Sequence, residues 1–197
     1  MSVIPIKAPA ADLQLGYQAS WLSEPMASQY LDQLLAQTPW QQPQVRVYGK
    51  KYPVPRLMAW YGDAGASYGY SGLRHQPLPW TQLLARLRQQ VEQACSHAFN
   101  GVLLNLYRDG QDANGWHSDD EPELGSCPLI ASVSLGAARR FDLRRRDGSG
   151  QRISLELAHG SLLVMAGATQ QYWQHQIART NRVREPRLNL TFRYVQP

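Results

Sequence analysis

The most informative short segment of the chain is Trp116-His117-Ser118-Asp119, in which one residue separates a histidine from an aspartate. On a β-strand, residues i and i+2 project from the same face, so His117 and Asp119 could bind one ion together. A second histidine from a later strand would complete a set of two nitrogens and one carboxylate oxygen. This set is the facial triad of non-haem iron(II), and it leaves coordination positions open for a cosubstrate and oxygen.

Four other histidines compete for the place of the third ligand. His175 fits best, because it lies in the run YWQHQI, which is typical of a strand. His159 is the alternative, although the sequence HGS at that point is typical of a turn that opens the strand SLLVM. His75 and His97 lie in the N-terminal half, and His97 fits the surface of a helix. An isolated His-x-Asp also occurs on surface strands, so the motif alone does not establish a metal site.

The C-terminal run from Arg187 to Arg193 alternates polar and apolar residues strictly. On a strand, one face would carry Arg187, Asn189, Thr191 and Arg193, and the other Leu188, Leu190 and Phe192. One interpretation is an amphipathic strand whose polar face meets water. The other is a surface that binds a dicarboxylate, since guanidinium groups grip carboxylates bidentately. Together with His-x-Asp and a downstream histidine, the run favours the second interpretation, in which a buried polar face needs an anionic partner.

The elements that must position these residues divide the chain in two. Residues 1–20 are predicted to form an irregular arm, and residues 21–100 to contain helices from Ser23 to Gln37 and from Thr81 to Ala98. Between the helices we predict a short hairpin around Gly49 and a loop over residues 56–72. Residues 101–197 consist of short β-rich runs separated by turn residues, as in a sandwich or barrel.

Composition sets the outer limits of the function. A length of 197 residues fits a single domain, and there is no apolar run long enough to cross a membrane. The N-terminus has no signal-peptide pattern, so we expect a cytoplasmic protein, and by default a monomer. Cys95 and Cys127 fit neither a disulfide framework nor a zinc site. The net charge of +5 favours polyanionic partners.

In order and spacing, several segments resemble the AlkB family of oxidative nucleic-acid demethylases, and most of all its DNA-repair members. The segments are Asn105 to Gly110, Asp112 to Glu121, Ile130 to Gly136, Ala158 to Leu163 and Arg187 to Arg193, within a match over roughly residues 45–195. The resemblance implies a mixed α/β, mainly β fold: a single catalytic domain with a double-stranded β-helix (jelly-roll) core, N-terminal helices and a nucleotide-recognition lid.

The resemblance also implies the ligands and the reaction. His117, Asp119 and His175 would hold iron(II), and Arg187 and Arg193 would grip the two ends of 2-oxoglutarate. Help would come from Asn105, Tyr107, Asn189 and Thr191. Alkylated DNA, with bases of the 1-methyladenine or 3-methylcytosine type, would be demethylated with O2, releasing formaldehyde, succinate and CO2.

Residues that would contact the substrate follow from the same resemblance. Tyr48 would be the tip of a hairpin inserted into the duplex, where a wedge stabilises the site of a flipped base. Tyr68 and Ser71 would line the base pocket, Arg56 would lie near the substrate, and Glu121 would read the exocyclic amine. Trp173, two residues before His175, could stack on the base or pack in the core. His159 would have a structural role in a turn.

Two further hypotheses stay open at this point. The same chemistry could act on RNA, a protein side chain or a small molecule, or the chain could be a non-catalytic jelly-roll module. The arginines from Arg139 to Arg146, those from Arg179 to Arg184, and Lys50 with Lys51 could track phosphates, although such runs are often solvated loops.

Overall fold

The computed structural model describes residues 5–6, 10–47, 49–66, 68–70 and 73–196. The strands are β1 (Gln14–Gln18), β2 (Gln44–Val47), β3 (Lys50–Pro53), β4 (Leu57–Gly62), β5 (Tyr68–Tyr70), β6 (Leu73–His75), β7 (Gly101–Tyr107), β8 (Asn114–His117), β9 (Ile130–Gly136), β10 (Arg139–Arg145), β11 (Arg152–Leu157), β12 (Ser161–Ala166), β13 (Trp173–Ile177) and β14 (Arg187–Arg193). The helices are α1 (Glu24–Gln37), α2 (Gln82–Cys95) and the short α3 (Thr169–Tyr172), and a 3-10 turn spans Pro122–Leu124. Within the described ranges, no helix is long and apolar enough to cross a membrane.

Two antiparallel sheets face each other and form the centre of the fold. The larger sheet has the strand order β1-β12-β9-β14-β7-β4, and the smaller has the order β11-β10-β13-β8. Strands that neighbour one another in space are often distant in the chain, which is the jelly-roll arrangement that the family resemblance implied. Strands β2 and β3 form one separate hairpin, and β5 and β6 form another.

Strand β14 runs through the middle of the larger sheet and is buried on both faces. It pairs with β7 on one side and β9 on the other, and all seven of its residues are buried. Leu188, Leu190 and Phe192 pack into the apolar cluster that the sheet shares with α1 and α2. The opposite, polar face points into the space between the two sheets. The interpretation in which this face meets water is therefore wrong.

The two long helices cover the outer face of the larger sheet. Ser23 occupies the N-cap position of α1 and Thr81 that of α2, where the Thr81 hydroxyl accepts a hydrogen bond from the main-chain N–H of Leu84. Both starts agree with the sequence prediction, although only the Thr81 side chain caps its helix; the Ser23 side chain makes no capping hydrogen bond. Leu87 and Val91 of α2 face the sheet and are fully buried. The helices thus close the apolar side of the sheet.

Two segments predicted to be irregular are strands of the larger sheet. Strand β1, inside the predicted arm 1–20, pairs with β12, and β4, inside the predicted loop 56–72, pairs with β7. The β4 sequence LMAWYG is buried nearly throughout, so it lacks the alternation that reveals a half-buried strand. The jelly-roll core therefore includes strands from both sides of Gly101.

Gly101 is a position where the packing of this sheet is testable. A Cβ atom there would overlap the ring of Trp60, which is buried and donates its indole N–H to the Ala66 carbonyl. Because the neighbour is a rigid ring, we expect Gly101→Ala to lower the free energy of unfolding by about 1–3 kcal/mol, the usual cost of overpacking. Chemical denaturation with far-ultraviolet circular dichroism measures the change.

The matched control is Gly115→Ala. A Cβ atom at Gly115 meets open space, so this variant should unfold within about 0.5 kcal/mol of the unmodified chain, as surface substitutions generally do. Equal stability of the two variants would contradict the packing described for Trp60.

Candidate functional site

Three side chains that the sequence singled out meet between the two sheets. His117 lies at the end of β8, His175 lies opposite it on β13, and Asp119 follows β8 by two residues. One ligand atom from each lies within 4.8 Å of the others, and the ring centroids of the two histidines are 4.2 Å apart. Among the described residues no other group of this kind was found. The three side chains could hold one metal ion.

The tautomer of His117 is set by a hydrogen bond to the main chain two residues earlier. Nδ1 lies 2.7 Å from the Gly115 carbonyl oxygen, so this nitrogen carries the proton and donates it. The lone pair of the neutral ring is then on Nε2, which lies 3.8 Å from Oδ1 of Asp119 and 3.0 Å from the amide nitrogen of Asn114. A metal ion would bind the lone pair of Nε2, to which the side-chain amide of Asn114 now donates a hydrogen bond. The local geometry presents it towards the cluster.

Asp119 is not held in the way that the sequence argument assumed. Strand β8 ends at His117, so strand alternation does not aim the carboxylate. Instead, the Ser118 hydroxyl donates to the Trp173 carbonyl oxygen at 2.9 Å, and the main-chain N–H of Asp119 donates to Oε1 of Gln170 at 3.0 Å. The Asp119 carboxylate accepts a hydrogen bond of 2.8 Å from Arg193. Hydrogen bonds to α3, β13 and β14 therefore hold Asp119 in place of the strand pairing that β8 would have provided.

Burial and charge keep the three side chains in the forms that bind a metal. Burial alone would raise the pKa of Asp119, but the Arg193 guanidinium lowers it to about 2. Burial lowers the pKa of His175 to about 3, and burial also lowers the pKa of His117. At neutral pH the carboxylate is ionised and both imidazoles are neutral. Metal binding requires these deprotonated ligands, so the donor set fits a divalent ion such as iron(II).

The polar face of β14 continues the site as a chain of hydrogen bonds. Nη2 of Arg187 donates to Oγ of Ser134 and to Oδ1 of Asn189, each at 2.9 Å. Oδ1 of Asn189 also accepts from the Ser132 hydroxyl at 2.8 Å, and its Nδ2 donates to Thr191 at 2.6 Å. These contacts fix the orientation of the side chains on β14. Ser132 and Ser134 were missed, although their alternation with apolar residues in β9 is the same signal that revealed β14.

Arg187 retains unused donors in a buried place. Its side chain is buried, and the described residues offer no hydrogen-bond partner to its Nε and Nη1 atoms. Burial lowers the pKa of Arg187 to about 10, so the guanidinium stays charged at neutral pH. Its Cζ atom lies 5.2 Å from the ring centroid of Tyr107. A buried cation with open N–H groups is costly unless it meets an anion, and a carboxylate of 2-oxoglutarate fits that requirement.

One cavity contains both the histidine–aspartate cluster and Arg187. Its polar lining also includes Arg56, Asn105, Tyr107, Asn114, Ser132, Gln176, Asn189, Thr191 and Arg193. Leu103, Phe141, Leu157, Leu163, Met165 and Ile177 form its apolar lining. Every predicted metal and cosubstrate residue thus lines one space. Apolar walls limit the access of water to the charged groups.

The predicted substrate residues divide into those that the structure places and those it does not describe. Arg56 is buried, lines the cavity, and donates from Nε to Oδ1 of Asn105 at 2.8 Å. Glu121 precedes the 3-10 turn Pro122–Leu124 and does not line the cavity. Tyr48 and Ser71 lie outside the described residues, as does the side chain of Tyr68 on β5.

Trp173 is a core residue, and the prediction that it could stack on a base is not supported. Its side chain is 1% exposed and packs among the apolar residues between the sheets. The indole N–H donates to Asp12 at 2.9 Å. Trp173 does not line the cavity. Because Trp173 and His175 are two residues apart on β13, both side chains point to the interior, and Trp173 fills the core there.

His159 has the structural role that was expected of it. Nδ1 accepts a hydrogen bond of 2.7 Å from the main-chain N–H of Gly136, and Nε2 lies 3.3 Å from the Ser28 hydroxyl of α1. These contacts tie the end of β9 to α1, away from the metal cluster. His97, the other alternative whose side chain is described, is exposed and contacts Phe99.

The prediction that Arg139 belongs to a phosphate-binding cluster is wrong. Arg139 is 2% exposed and donates to the main-chain carbonyl oxygens of Asp109, Asp112 and Ala178. Its Cζ atom lies 5.6 Å from the ring of Tyr107. The arginine therefore fastens the loop after β7 to the loop after β13, next to a residue of the cavity. Nothing in the local sequence distinguishes it from its exposed neighbour Arg140.

The remaining arginines of that run are largely engaged with acidic partners. Arg140 pairs with Asp142 at 2.6 Å, and Arg146 pairs with Asp120 at 2.8 Å. Arg145 pairs with both Asp12 and Asp147 at 2.7 Å. Arg144 lies over the ring of Trp116 at 4.3 Å. The run carries less unbalanced positive charge than its sequence suggests.

Comparison with known proteins places this site in a family. A sequence model of the 2OG-Fe(II) oxygenase superfamily matches residues 14–193. The chain belongs to this superfamily. The matched range includes both histidines, Asp119 and the whole of β14. Membership agrees with the fit of the site to iron and 2-oxoglutarate.

Relatives of known description narrow the family to AlkB-like proteins. Mouse alpha-ketoglutarate-dependent dioxygenase alkB homolog 3 is 46% identical over 176 residues, which cover 85% of this chain and 61% of that protein. Mouse DNA oxidative demethylase ALKBH2 is 47% identical over 160 residues, covering 78% of this chain and 67% of that protein. The chain thus spans about three fifths of the first relative. The solved structure of OsALKBH1 shares the fold, with a TM-score of 0.66, 18% identity and coverage of 91% and 96% of the two chains.

The role of Arg139 as an internal fastener can be measured. We expect Arg139→Met to lower the free energy of unfolding by at least about 2 kcal/mol, because three main-chain carbonyl oxygens, in buried or partly buried contacts, lose a charged donor. The control is Arg140→Met, since the Arg140 side chain is 74% exposed and its ion pair should contribute at most about 1 kcal/mol. Thermal and urea unfolding would show the difference. If both variants unfold alike, Arg139 does not anchor these loops.

Proposed function

We propose that this chain is an iron(II)- and 2-oxoglutarate-dependent dioxygenase that removes alkyl groups from nucleic-acid bases. The observation that carries the proposal is the single cavity in which the histidine–aspartate cluster faces the open donors of Arg187. The substrate class is supported by the relatives, because one of them is named a DNA oxidative demethylase. Substrates of the 1-methyladenine and 3-methylcytosine type are the specific expectation.

Iron(II) would be held by His117, Asp119 and His175. The Gly115 carbonyl fixes the ring of His117, so the chain itself selects the nitrogen that faces the metal. Arg193 keeps the carboxylate of Asp119 ionised and orients it through a 2.8 Å hydrogen bond. The protein would thus supply three ligands to the ion, and the remaining coordination positions would be open to small molecules.

The cosubstrate would be held on the polar face of β14. Arg187 would offer unused N–H groups to one carboxylate of 2-oxoglutarate. The hydrogen bond from Arg187 to Asn189 holds the guanidinium in place. Arg193 lies beside the metal cluster and would face the keto-acid end. Asn105, Tyr107 and Thr191 would complete the contacts, since each lines the same cavity.

When bound, iron(II) and 2-oxoglutarate supply the oxidising chemistry with O2: the alkyl carbon is hydroxylated and leaves as formaldehyde, while 2-oxoglutarate becomes succinate and CO2. The chain contributes position and environment. Phe141, Leu157 and Ile177 line the cavity beside the charged groups and restrict water. Such exclusion strengthens the interactions of the arginines with a bound anion.

The base would enter from the side of Arg56, which lines the cavity near the cluster. We also propose that the hairpins β2–β3 and β5–β6 serve as the nucleotide-recognition lid of a single catalytic domain. Contacts by Tyr48, Tyr68, Ser71 and Glu121 stay predictions. A monomeric state and a cytoplasmic location likewise stay predictions.

Metal binding tests the first half of this proposal. We expect Asp119→Asn to weaken Mn(II) binding by at least about 100-fold, because even groups that only orient metal ligands contribute roughly 10–100-fold. The amide keeps the shape of the side chain but cannot supply a charged oxygen. Titration of Mn(II) followed by electron paramagnetic resonance gives the dissociation constant without turnover.

Asp120→Asn is the matched control for this titration. Asp120 is adjacent in sequence but exposed, and it pairs with Arg146 on the surface. Its variant should bind Mn(II) as the unmodified chain does. An unchanged constant for Asp119→Asn would remove Asp119 from the ligand set.

Turnover tests the second half. The protein is incubated with iron(II), 2-oxoglutarate, ascorbate and an oligonucleotide that carries one 1-methyladenine, and the methyl mass is followed by mass spectrometry. We expect the loss of one methyl group, and no loss with His117→Ala or Asp119→Ala, which lack a metal ligand. Parallel reactions on methylated RNA and on peptides compare the substrate classes.

The outcomes separate the competing functions. Succinate formation without demethylation of any oligonucleotide would retain the dioxygenase and exclude the nucleic-acid substrate. Neither product, from folded protein that binds Mn(II), would favour the non-catalytic jelly-roll module. Faster turnover of RNA than of DNA would reassign the substrate within the same chemistry.

A further inference from the structure

The two protein segments that carry Asp119 and His175 are fastened to each other at one corner. This corner consists of α3 and the first residue of β13, Trp173. Here the Trp173 carbonyl oxygen accepts a hydrogen bond of 2.9 Å from the Ser118 hydroxyl, and the Gln170 side chain accepts one of 3.0 Å from the main-chain N–H of Asp119. His175 follows two residues later on β13. The corner therefore sets the distance between two of the three candidate ligands.

Gln170 occupies this corner at an energetic cost. Its side chain is 1% exposed, and its Nε2 lies 3.4 Å from Sδ of Met165, which is a weak acceptor. A buried amide is unfavourable unless it is hydrogen-bonded, and here Oε1 is the acceptor for the buried main-chain N–H of Asp119, which an apolar side chain would leave without a partner. The good hydrogen bond of this side chain is the one that its Oε1 accepts from Asp119. The residue is thus suited to hold Asp119 rather than to stabilise the core.

Helix α3 is itself hydrogen-bonded to the neighbouring strands, so the position of Gln170, and with it that of Asp119, is fixed. The Thr169 hydroxyl donates to the Ala166 carbonyl oxygen at 2.7 Å and accepts from the main-chain N–H of Gln14 at 3.0 Å. Strand β1 pairs with β12 immediately beside it. The four residues of α3 are therefore held between β12, β1 and β13.

We propose that Gln170 is a positioning residue for the metal site, which holds the main chain of Asp119 so that its carboxylate faces His117 and His175. Arg193 fixes one carboxylate oxygen from the side of β14, and Gln170 fixes the backbone from the side of α3. With both restraints, the second carboxylate oxygen is directed at the cluster. This inference rests on the proposed function, because it assigns Gln170 a task for the metal.

The test uses Gln170→Met, which keeps the length of the side chain and removes its oxygen acceptor. We expect the dissociation constant for Mn(II) to rise by about 10–100-fold, the range found for groups that orient metal ligands. The affinity of the Mn(II)-saturated protein for 2-oxoglutarate should change by less than about threefold, because Arg187 and Asn189 are untouched. Electron paramagnetic resonance gives the first constant and titration calorimetry the second.

Two further variants separate positioning from general stability. Gln170→Glu keeps an acceptor oxygen at the same reach. Because a charge is costly at this buried position, the carboxyl group would be protonated, and the variant should regain most of the Mn(II) affinity that Gln170→Met loses. Gln171→Met, at the exposed neighbouring position, should leave both affinities and the unfolding midpoint unchanged. Thermal unfolding of all variants is recorded alongside.

An unchanged Mn(II) constant in Gln170→Met would overturn the inference. So would a parallel fall of the unfolding midpoint, the Mn(II) affinity and the 2-oxoglutarate affinity, or a Gln170→Glu variant as weak as Gln170→Met. Failure of the metal site looks different, because the unmodified chain would then bind no Mn(II), and the inference would fall with it. Absence of turnover in a chain that binds Mn(II) would refute the proposed function and leave the positioning role of Gln170 intact.

Discussion

The buried ion pair between Asp119 and Arg193 connects the two halves of the site. Both side chains are 5% exposed, and their 2.8 Å contact joins the segment after β8 to the end of β14. Removing two charges from water is expensive, and such a pair stabilises a fold weakly at best. Its value lies in position: it keeps a carboxylate ionised inside the protein and places a guanidinium next to it. The ion pair thereby fixes the position of the histidine–aspartate cluster relative to the larger sheet.

That relation depends on a strand with two different buried faces. Leu188, Leu190 and Phe192 anchor β14 to the helices, and the alternate residues present charge and amide groups to the cavity. The helix side supplies apolar burial that offsets the cost of ordering polar groups on the other side. A shift of register by one residue would exchange the two faces, so the packing under α1 and α2 also protects the chemistry of the cavity.

The sequence predicted those parts of the molecule in which alternation survives. The polar face of β14 followed from strict alternation, and the preference for His175 as the histidine that joins His117 followed from the strand-like run around it. Strand β4 was missed because it is covered on both faces, and the role of Trp173 was undecided because an inward-facing aromatic residue can fill a core or line a pocket. The aim of Asp119 depends on Gln170 and Arg193, 51 and 74 residues away in the chain. Contacts of that range leave no local pattern to read.

The charge lining the cavity favours the binding of an anion. Among the described residues that line it, Arg56, Arg187 and Arg193 are positive and Asp119 is the one carboxylate. A divalent metal would add to this excess, and a dicarboxylate would reduce it by two. Repulsion between like charges in a medium of low dielectric is strong, so the metal and the anion should support each other's binding. The arginines proposed to hold the cosubstrate would therefore also make a dianion favourable in this cavity, and the apolar walls between them would reduce the screening of their charge by water.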